Sequence, residues 1–294
     1  MSAARRGRGA GRVGAGRVGA GRVGAGRVGE FRGLGAWAAG FYGFLYFPIV
    51  VLVVYSFNQS RLALMWQGFG LRWYVKVFHN EGIRGAAYNS LVVAASATAI
   101  ATVVAVAAAL ALARGGEFRG RHAVLGLISL PLMVPEIVTA VATLMFFTSI
   151  GLALGLGNLI IAHTVFCIPF AFMPIRARLA GTDLSLEEAA RDLYAGEWAS
   201  FRYVTLPLMM PGIVAGATLS FVISLDDFII TLMVSNEGTT TLPVYIYSMI
   251  RQGVTPEVNA ISSILFAISV TLVGVYWIAS RAPVEAPSKE EKTP

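Results

Sequence analysis

Long apolar runs without charged residues are the feature that most constrains this sequence. Residues 37–57 form 21 consecutive positions with no Asp, Glu, Lys or Arg, which is the length that a helix needs to cross the hydrocarbon core of a bilayer. The chain is 56% hydrophobic and only 13% charged. Because backbone polar groups find no water in lipid, such runs must satisfy their hydrogen bonds as helices. The sequence therefore predicts an all-α integral membrane protein.

Six such runs predict six transmembrane helices in one membrane domain over residues 36–281. The spans are predicted at residues 37–57, 88–113, 122–150, 158–175, 206–234 and 258–279. A polar loop at 179–205 separates the fourth and fifth spans, and a charged tail follows at 282–294. The segment LRWYVKVF before the second span predicts a short helix at the membrane interface.

Prolines predict irregular points within two of these spans. Pro131 and Pro135, together with Glu136, interrupt the third span. In the fourth span, Pro169 predicts a bend and Pro174 predicts the end of the helix, because proline lacks the N–H of a helix ladder.

The basic charge of the chain belongs to its N-terminal tail. Residues 1–32 hold eight arginines and one acid, so they carry the whole net charge of +7. Residues 1–35 repeat the unit AGRVG, and this Gly- and Ala-rich composition predicts a disordered tail. Three readings of the tail stay open: a contact with anionic lipid, a contact with nucleic acid, and a functionless extension from a misplaced start site. We favour the last and expect no nucleic-acid partner.

The distribution of basic residues predicts the orientation of the chain in the membrane. Arginines and lysines cluster in the N-terminal tail, in the loop after the second span, in the loop at 179–205 and in the C-terminal tail. The first outer loop is the exception, with Arg61, Arg72, Lys76 and Arg84. Because such residues concentrate on the cytoplasmic side, we place both termini and the 179–205 loop in the cytoplasm.

The loop between the fourth and fifth spans contains a predicted amphipathic helix that begins at Ser185. Its apolar side is spaced at helical intervals, and its charged side carries Glu187 and Glu188. Ser185 with Glu188 three residues later fits a capping box. If that is the only role of Glu188, the segment is a plain linker helix.

The same loop resembles the cytoplasmic loop of ATP-binding-cassette importer permeases. Glu188, Ala189 and Ala190 match the Glu-Ala-Ala of that family, and Leu206-Pro207 match its Leu-Pro. Tyr194 stands where the family has Gly, and Gly196 is the nearest glycine. The runs LSFVISLDDFIITLMVS, TTLPVYIYSMIRQGVTPEVNA and PLMVPE look closest to the spermidine/putrescine importers within the family.

The resemblance implies a fold, a set of partners and a set of coupling residues. It implies the type I (MetI-like) importer permease fold, with six spans and a cytoplasmic coupling helix, in a bacterial cytoplasmic membrane. It implies two ATPase subunits, a second permease of different sequence and an extracytoplasmic binding protein as partners. The residues expected to contact the ATPase are Glu187, Glu188, Ala189, Ala190, Leu206 and Pro207.

Three acids inside the predicted spans are candidates for a substrate path. Glu136, Asp226 and Asp227 each carry a cost of about 2.5–3.5 kcal/mol at the bilayer centre. A transported cation is one compensating partner, and polyamines are cations. The alternative is that the aspartates cap backbone groups at a helix break or pair with an arginine of a partner subunit. His163 is expected to be a packed, hydrogen-bonded histidine.

The motifs that the sequence lacks exclude several classes of enzyme. It has no HExxH, CxxC or GxSxG pattern and no Gly-Lys dipeptide for a phosphate-binding loop. We therefore predict no catalytic residues, no metal and no cofactor of its own, with ATP bound by partner subunits. A permease of an ATP-driven polyamine importer is the leading hypothesis. A self-sufficient ion-coupled transporter or channel, or an importer permease for another small organic solute, is the alternative.

Overall fold

The computed structural model describes residues 32–60, 65–116, 118–253 and 255–280. Within these ranges the chain is helical, and its β pairing is limited to one bridge between Asn58 and Phe69. The helices are α1 Arg32–Ser56, α2 Arg72–His79, α3 Glu81–Arg114, α4 Arg121–Met133, α5 Glu136–Ser149, α6 Leu156–Ala180, α7 Ser185–Asp192, α8 Glu197–Ser200, α9 Leu206–Asp226, α10 Ile229–Val234, α11 Leu242–Gln252 and α12 Pro256–Ser280. A π-helical segment, Phe201–Thr205, joins α8 to α9.

The membrane spans agree with the predicted all-α fold. In the described ranges, five helical stretches are long and apolar enough to cross a bilayer, and α4 with α5 makes a sixth if the bent pair counts as one span. The predicted interfacial helix is α2. The predicted tails at 1–35 and 282–294 lie outside the described residues, except that α1 begins at Arg32, so the first span starts within the predicted tail.

The third predicted span is not one helix. Its two halves, α4 and α5, meet at an angle of 110°. Val134 between them is extended, with ψ of 133°, because a residue before proline is driven out of the helical region. Pro135 therefore makes the break, whereas Pro131 lies inside α4.

Several predicted boundaries were wrong. The second span begins at Glu81 because the Asn80 side chain caps it, accepting from the amides of Gly82 at 3.0 Å and Ile83 at 3.3 Å. The fourth span runs past Pro174 to Ala180. The fifth is helical from Glu197 but stops at Asp226, so residues 206–234 are two helices.

Helices α3, α6 and α9 form the centre of the bundle, and small residues allow their close approach. Val93, Ala94, Ala97, Ala101, Ala105 and Ala109 make a buried stripe along α3. On α9, a Cβ added at Gly216 would overlap the carbonyl oxygen of Ala171 on α6. Small residues at such contacts are the usual means by which membrane helices pack.

The two ends of the bundle are held by separate ion pairs. At one end, Lys76 of α2 lies 2.5 Å from the buried Glu257 at the start of α12, and Asn80 donates to the same carboxylate at 3.1 Å. At the other end, Arg114 pairs with Glu187 at 2.7 Å. Here α3 finishes at Arg114, α4 begins at Arg121 and α6 finishes at Ala180. We call this second end the loop end, because residues 181–205 follow it.

Candidate functional site

The three predicted intramembrane acids come together at one cleft. The cleft has a volume of about 530 Å³ and is lined by Glu136, Phe166, Phe170, Val222, Ile223, Asp226, Asp227, Phe228 and Ile229. Glu136 is the first residue of α5, directly after the break at Pro135. Asp226 ends α9, and Asp227 occupies the break before α10. Two interrupted helices therefore bring acids from distant parts of the sequence to one place.

Asp227 is hydrogen-bonded within the protein. It is buried, and its Oδ1 accepts from the backbone N–H of Thr231 at 3.0 Å and from the Thr231 hydroxyl at 3.2 Å. Both contacts lie in the first turn of α10, whose N-terminal N–H groups need acceptors. This is the capping geometry that the sequence left open as an alternative. Asp227 Oδ2 is buried and has no hydrogen-bond partner among the described residues.

His163 links α6 to both sides of the same break. Its Nδ1 lies 2.8 Å from the Ser224 hydroxyl of α9, and its Nε2 lies 3.0 Å from the Thr231 hydroxyl of α10 and 3.5 Å from Asp227 Oδ1. The ring is 1% exposed. Buried polar groups of this kind are stabilising only when hydrogen-bonded, and His163 meets that condition as the sequence suggested.

Asp226 and Glu136 are more open to solvent than Asp227. Asp226 is exposed, and its contacts are two long ones of 3.4 Å to the Ser269 hydroxyl of α12. Glu136 is half-buried and lines the same cleft as Asp227. Neither acid has a cationic side-chain partner within the described part of the chain. These two carboxylates are therefore the ones available to a soluble cation.

A second candidate site is the loop that carries the Glu-Ala-Ala motif. Glu187, not Glu188, anchors α7 to the bundle. Its Oε1 accepts from Arg114 Nη2 at 2.7 Å and from the Thr205 hydroxyl at 3.0 Å, and Glu187 is buried. Glu188 and Ala189 are exposed, and Ala190 is half-buried. Leu206 and Pro207 lie apart from them, at the start of α9.

The predicted capping box is absent from this helix. Ser185 is the first residue of α7, and its backbone N–H donates to Asp183 Oδ1 at 2.9 Å. Asp183 therefore performs the capping role that the sequence assigned to Ser185. Accepting this backbone hydrogen bond holds the pKa of the exposed Asp183 carboxyl below its usual range.

Tyr194 ends α7 in a conformation that normally needs glycine. Its φ of 60° is left-handed, and no other non-glycine residue in the described ranges has a positive φ. The Tyr194 N–H bonds the Arg191 carbonyl at 2.9 Å, and the Ala195 N–H bonds the Ala190 carbonyl at 3.0 Å. This is the Schellman pattern of a helix C-terminus. The left-handed turn therefore lies at Tyr194 and not at Gly196, the nearest glycine, which has an ordinary φ of −66°.

The outward side of the loop is apolar. Leu186, Leu193, Tyr194, Trp198 and Tyr203 are 48%, 82%, 98%, 70% and 74% exposed. We call these five residues the loop surface. Exposed apolar residues gathered in one segment mark a protein or membrane contact, and here the anchoring charge faces inward while the apolar side chains face outward.

The chain is similar to known transport proteins along most of its length. Residues 101–282 match the family described as binding-protein-dependent transport system inner membrane component. The chain is 42% identical over 240 residues to the spermidine/putrescine transport system permease protein PotC of Haemophilus influenzae, which covers 82% of this chain and 93% of that protein. It is 37% identical to the putrescine transport system permease protein PotI of Escherichia coli K12, over 81% of this chain and 88% of that protein.

The fold is also that of solved transporters. A bacterial ABC transporter involved in the import of the acidic polysaccharide alginate superposes with a TM-score of 0.68 at 18% identity, covering 83% of this chain and 94% of that one. At this identity the likeness concerns the fold alone. The family match spans more than half of the sequence and includes the Glu-Ala-Ala loop. This chain belongs to the inner membrane components of binding-protein-dependent transport systems.

Proposed function

We propose that this chain is one of two permease subunits of an ATP-driven importer for polyamines in a bacterial cytoplasmic membrane. The names of the similar PotC and PotI proteins support polyamines as the substrate class. Family membership supports a subunit that conducts substrate and does not itself catalyse a reaction.

The main structural support for a polyamine substrate is the convergence of three acids on one cleft. A polyamine is a flexible chain with several ammonium groups, so it needs several anionic groups and apolar surface between them. Glu136 and Asp226 supply available carboxylates, and Phe166, Phe170 and Phe228 supply aromatic walls. Aromatic faces attract cations, and carboxylates in a site of low dielectric attract them more strongly.

The acids of the cleft have different roles in this proposal. Asp226 contacts the substrate, because it is exposed and only weakly held by Ser269. Glu136 contributes a second charge from α5. Asp227 stabilises the break between α9 and α10, because its Oδ1 already accepts a hydrogen bond from Thr231. A cation that passes through the cleft reduces the repulsion between the Glu136 and Asp227 carboxylates, so these acids need no permanent cationic partner.

The energy for transport enters through the loop end. We place this end in the cytoplasm on the positive-inside pattern, with both termini on the same side. Two ATPase subunits bind ATP there, and the loop surface docks on one of them. Glu188, Ala189 and Ala190 contact the ATPase, while Glu187 transmits the movement to α3 through Arg114. Leu206 and Pro207 support the loop where it re-enters the membrane.

Other subunits complete the transporter. A second permease of different sequence forms the other half of the path, and an extracytoplasmic binding protein delivers the substrate. Closure of the ATPase subunits then switches the permeases between inward- and outward-facing states as rigid bodies.

The test is ATP-driven uptake of spermidine by the assembled complex in proteoliposomes. Asp226→Asn should raise the spermidine concentration for half-maximal uptake by about tenfold, the effect of losing one charge-assisted contact of about 1.4 kcal/mol. Glu237→Gln is the matched control, because it removes an exposed acid outside the cleft. Unchanged uptake in Asp226→Asn and Glu136→Gln would contradict the site, and uptake without ATPase subunits would favour the ion-coupled alternative.

A further inference from the structure

A basic cleft lies at the loop end, and of its residues only Arg114 has a part in the transport mechanism above. It has a volume of about 250 Å³ and is lined by Ala109, Leu112, Ala113, Arg114, Arg121, Leu125, Arg176, Leu179, Ala180, Thr182 and Leu184. Its three arginines come from the end of α3, the start of α4 and the last turns of α6. Among the described residues, the one ion pair that these arginines make joins Arg114 to Glu187. The cleft therefore carries an excess of positive charge.

The arginines of this cleft have unused donors. Arg114 Nη2 donates a hydrogen bond to Glu187, but Arg114 Nε is buried without an acceptor in the described part of the chain. Arg121 and Arg176 make no ion pair with any described residue. Arg176 lies over the Phe172 ring at 5.9 Å, a contact that orients its guanidinium without using its N–H groups. A buried donor without an acceptor is costly, so the cleft suits an anion.

Arg121 is also placed against the needs of its own helix. It is the first residue of α4, and no side chain caps that end. A cation at a helix N-terminus is unfavourable, because the helix dipole is positive there. An anion beside Arg121 would be attracted by both the guanidinium and the helix dipole. Folding of α4 alone thus gives no reason for an arginine at this position.

The walls of the cleft indicate what kind of anion it takes. Leu112, Leu125 and Leu179 are apolar and pack in the hydrophobic core that α3, α4, α6 and α9 share. Arg114 ends one membrane span and Arg121 begins the next, so the cleft lies at the depth where hydrocarbon gives way to headgroups. A ligand with a phosphate and an apolar tail matches both the charges and the walls.

We propose that Arg114, Arg121 and Arg176 bind the phosphate of an anionic phospholipid of the cytoplasmic leaflet. The proposal rests on the orientation given under the proposed function. Because Arg114 also holds Glu187, a lipid phosphate in this cleft stabilises the arginine that anchors α7. Lipid occupancy therefore supports the position of the coupling loop.

The experiment measures phosphatidylglycerol retained by the assembled transporter after delipidation, with native mass spectrometry. Arg121→Gln and Arg176→Gln should each lower retention by about fivefold, and the double variant by about 30-fold, from the usual contribution of one basic residue to anionic lipid binding. Arg119→Gln is the matched control: Arg119 is exposed in the same turn but does not line the cleft. Arg176→Lys keeps the charge and should restore most of the retention.

Three outcomes would overturn the proposal. Equal retention in the double variant and in Arg119→Gln would mean that the cleft holds no lipid. Displacement of the lipid by millimolar inorganic phosphate would identify a free-anion site. Loss of the ATPase subunit with lipid retention unchanged would identify a protein contact. Spermidine uptake is measured on the same preparations, so failure of the lipid site in a transporting complex leaves the proposed function standing.

Discussion

The adjacent glutamates of α7 provide a matched pair of substitutions with opposite expected effects. Glu187 faces inward and holds Arg114 and Thr205, whereas Glu188 is exposed and its side chain makes no hydrogen bond or ion pair with a described residue. Glu187→Ala and Glu188→Ala remove the same side chain one position apart in the same helix, so helix propensity cancels in the comparison. We expect Glu187→Ala to release the loop and Glu188→Ala to leave it in place.

The size of the effect follows from the burial of the pair. The side chains of Arg114 and Glu187 are 27% and 12% exposed, which places the pair between a surface ion pair worth about 0–1 kcal/mol and a fully buried one whose disruption costs about 3–5 kcal/mol. We therefore expect Glu187→Ala to destabilise the closed position of the loop by about 2 kcal/mol. That value corresponds to a roughly 30-fold increase in the open population of the loop.

Hydrogen exchange of the amides of residues 185–195 in the assembled complex measures this opening. Exchange should become about 30-fold faster in Glu187→Ala and stay within twofold of the parent in Glu188→Ala. Retention of the ATPase subunit should fall in both variants, in the second through loss of a direct contact. Unchanged exchange in Glu187→Ala, or faster exchange in Glu188→Ala alone, would refute the assignment of the anchor.

Three further predictions concern other parts of the chain. Tyr194→Gly should stabilise the loop by about 1 kcal/mol, because a left-handed backbone conformation costs a residue other than glycine about 1–2 kcal/mol. Hydrogen exchange of the loop amides should slow accordingly. His163→Leu should lower the melting temperature of the purified complex, because it leaves the buried Ser224 hydroxyl without its hydrogen-bond partner at a cost of about 1–3 kcal/mol, whereas Asp226→Asn should leave it unchanged. Deletion of residues 1–32 should leave membrane insertion and spermidine uptake near normal, and a large loss of uptake at normal abundance would contradict the functionless reading.

The features that could be read from the sequence are those that depend on local composition. Residues 37–57 show a span by their lack of charge alone, and the Glu-Ala-Ala and Leu-Pro spacing identifies the loop and its family. Pro135 was recognised as an interruption, because proline acts on its immediate neighbours. The Asp226-Asp227 pair was recognised as costly in lipid, and a helix break beside it was left open as an alternative. Residues 206–234 were nevertheless predicted as one span, whereas α9 ends at Asp226.

The features that the sequence did not show depend on contacts between distant residues. Glu187 was counted on the charged side of α7 with Glu188, and its partner Arg114 lies 73 residues away in the chain. No periodicity separates an inward glutamate from an outward one. The backbone of Tyr194 was also not predicted: the sequence showed a tyrosine where the family has glycine, and the structure shows this tyrosine in a left-handed turn with both Schellman hydrogen bonds made.

Site-specific cross-linking tests most directly whether the loop surface docks on the ATPase subunit. The chain has a single cysteine, Cys167, which is buried, so an introduced cysteine is the reactive one. Leu193→Cys, directly after α7, and Glu237→Cys, in the segment between α10 and α11, are both at exposed positions. Each variant is treated with a thiol- and amine-reactive reagent in the intact complex. Our account predicts a product with the ATPase subunit from Leu193→Cys and none from Glu237→Cys. A product with the ATPase from Glu237→Cys, or none from Leu193→Cys in an assembled complex, would contradict it.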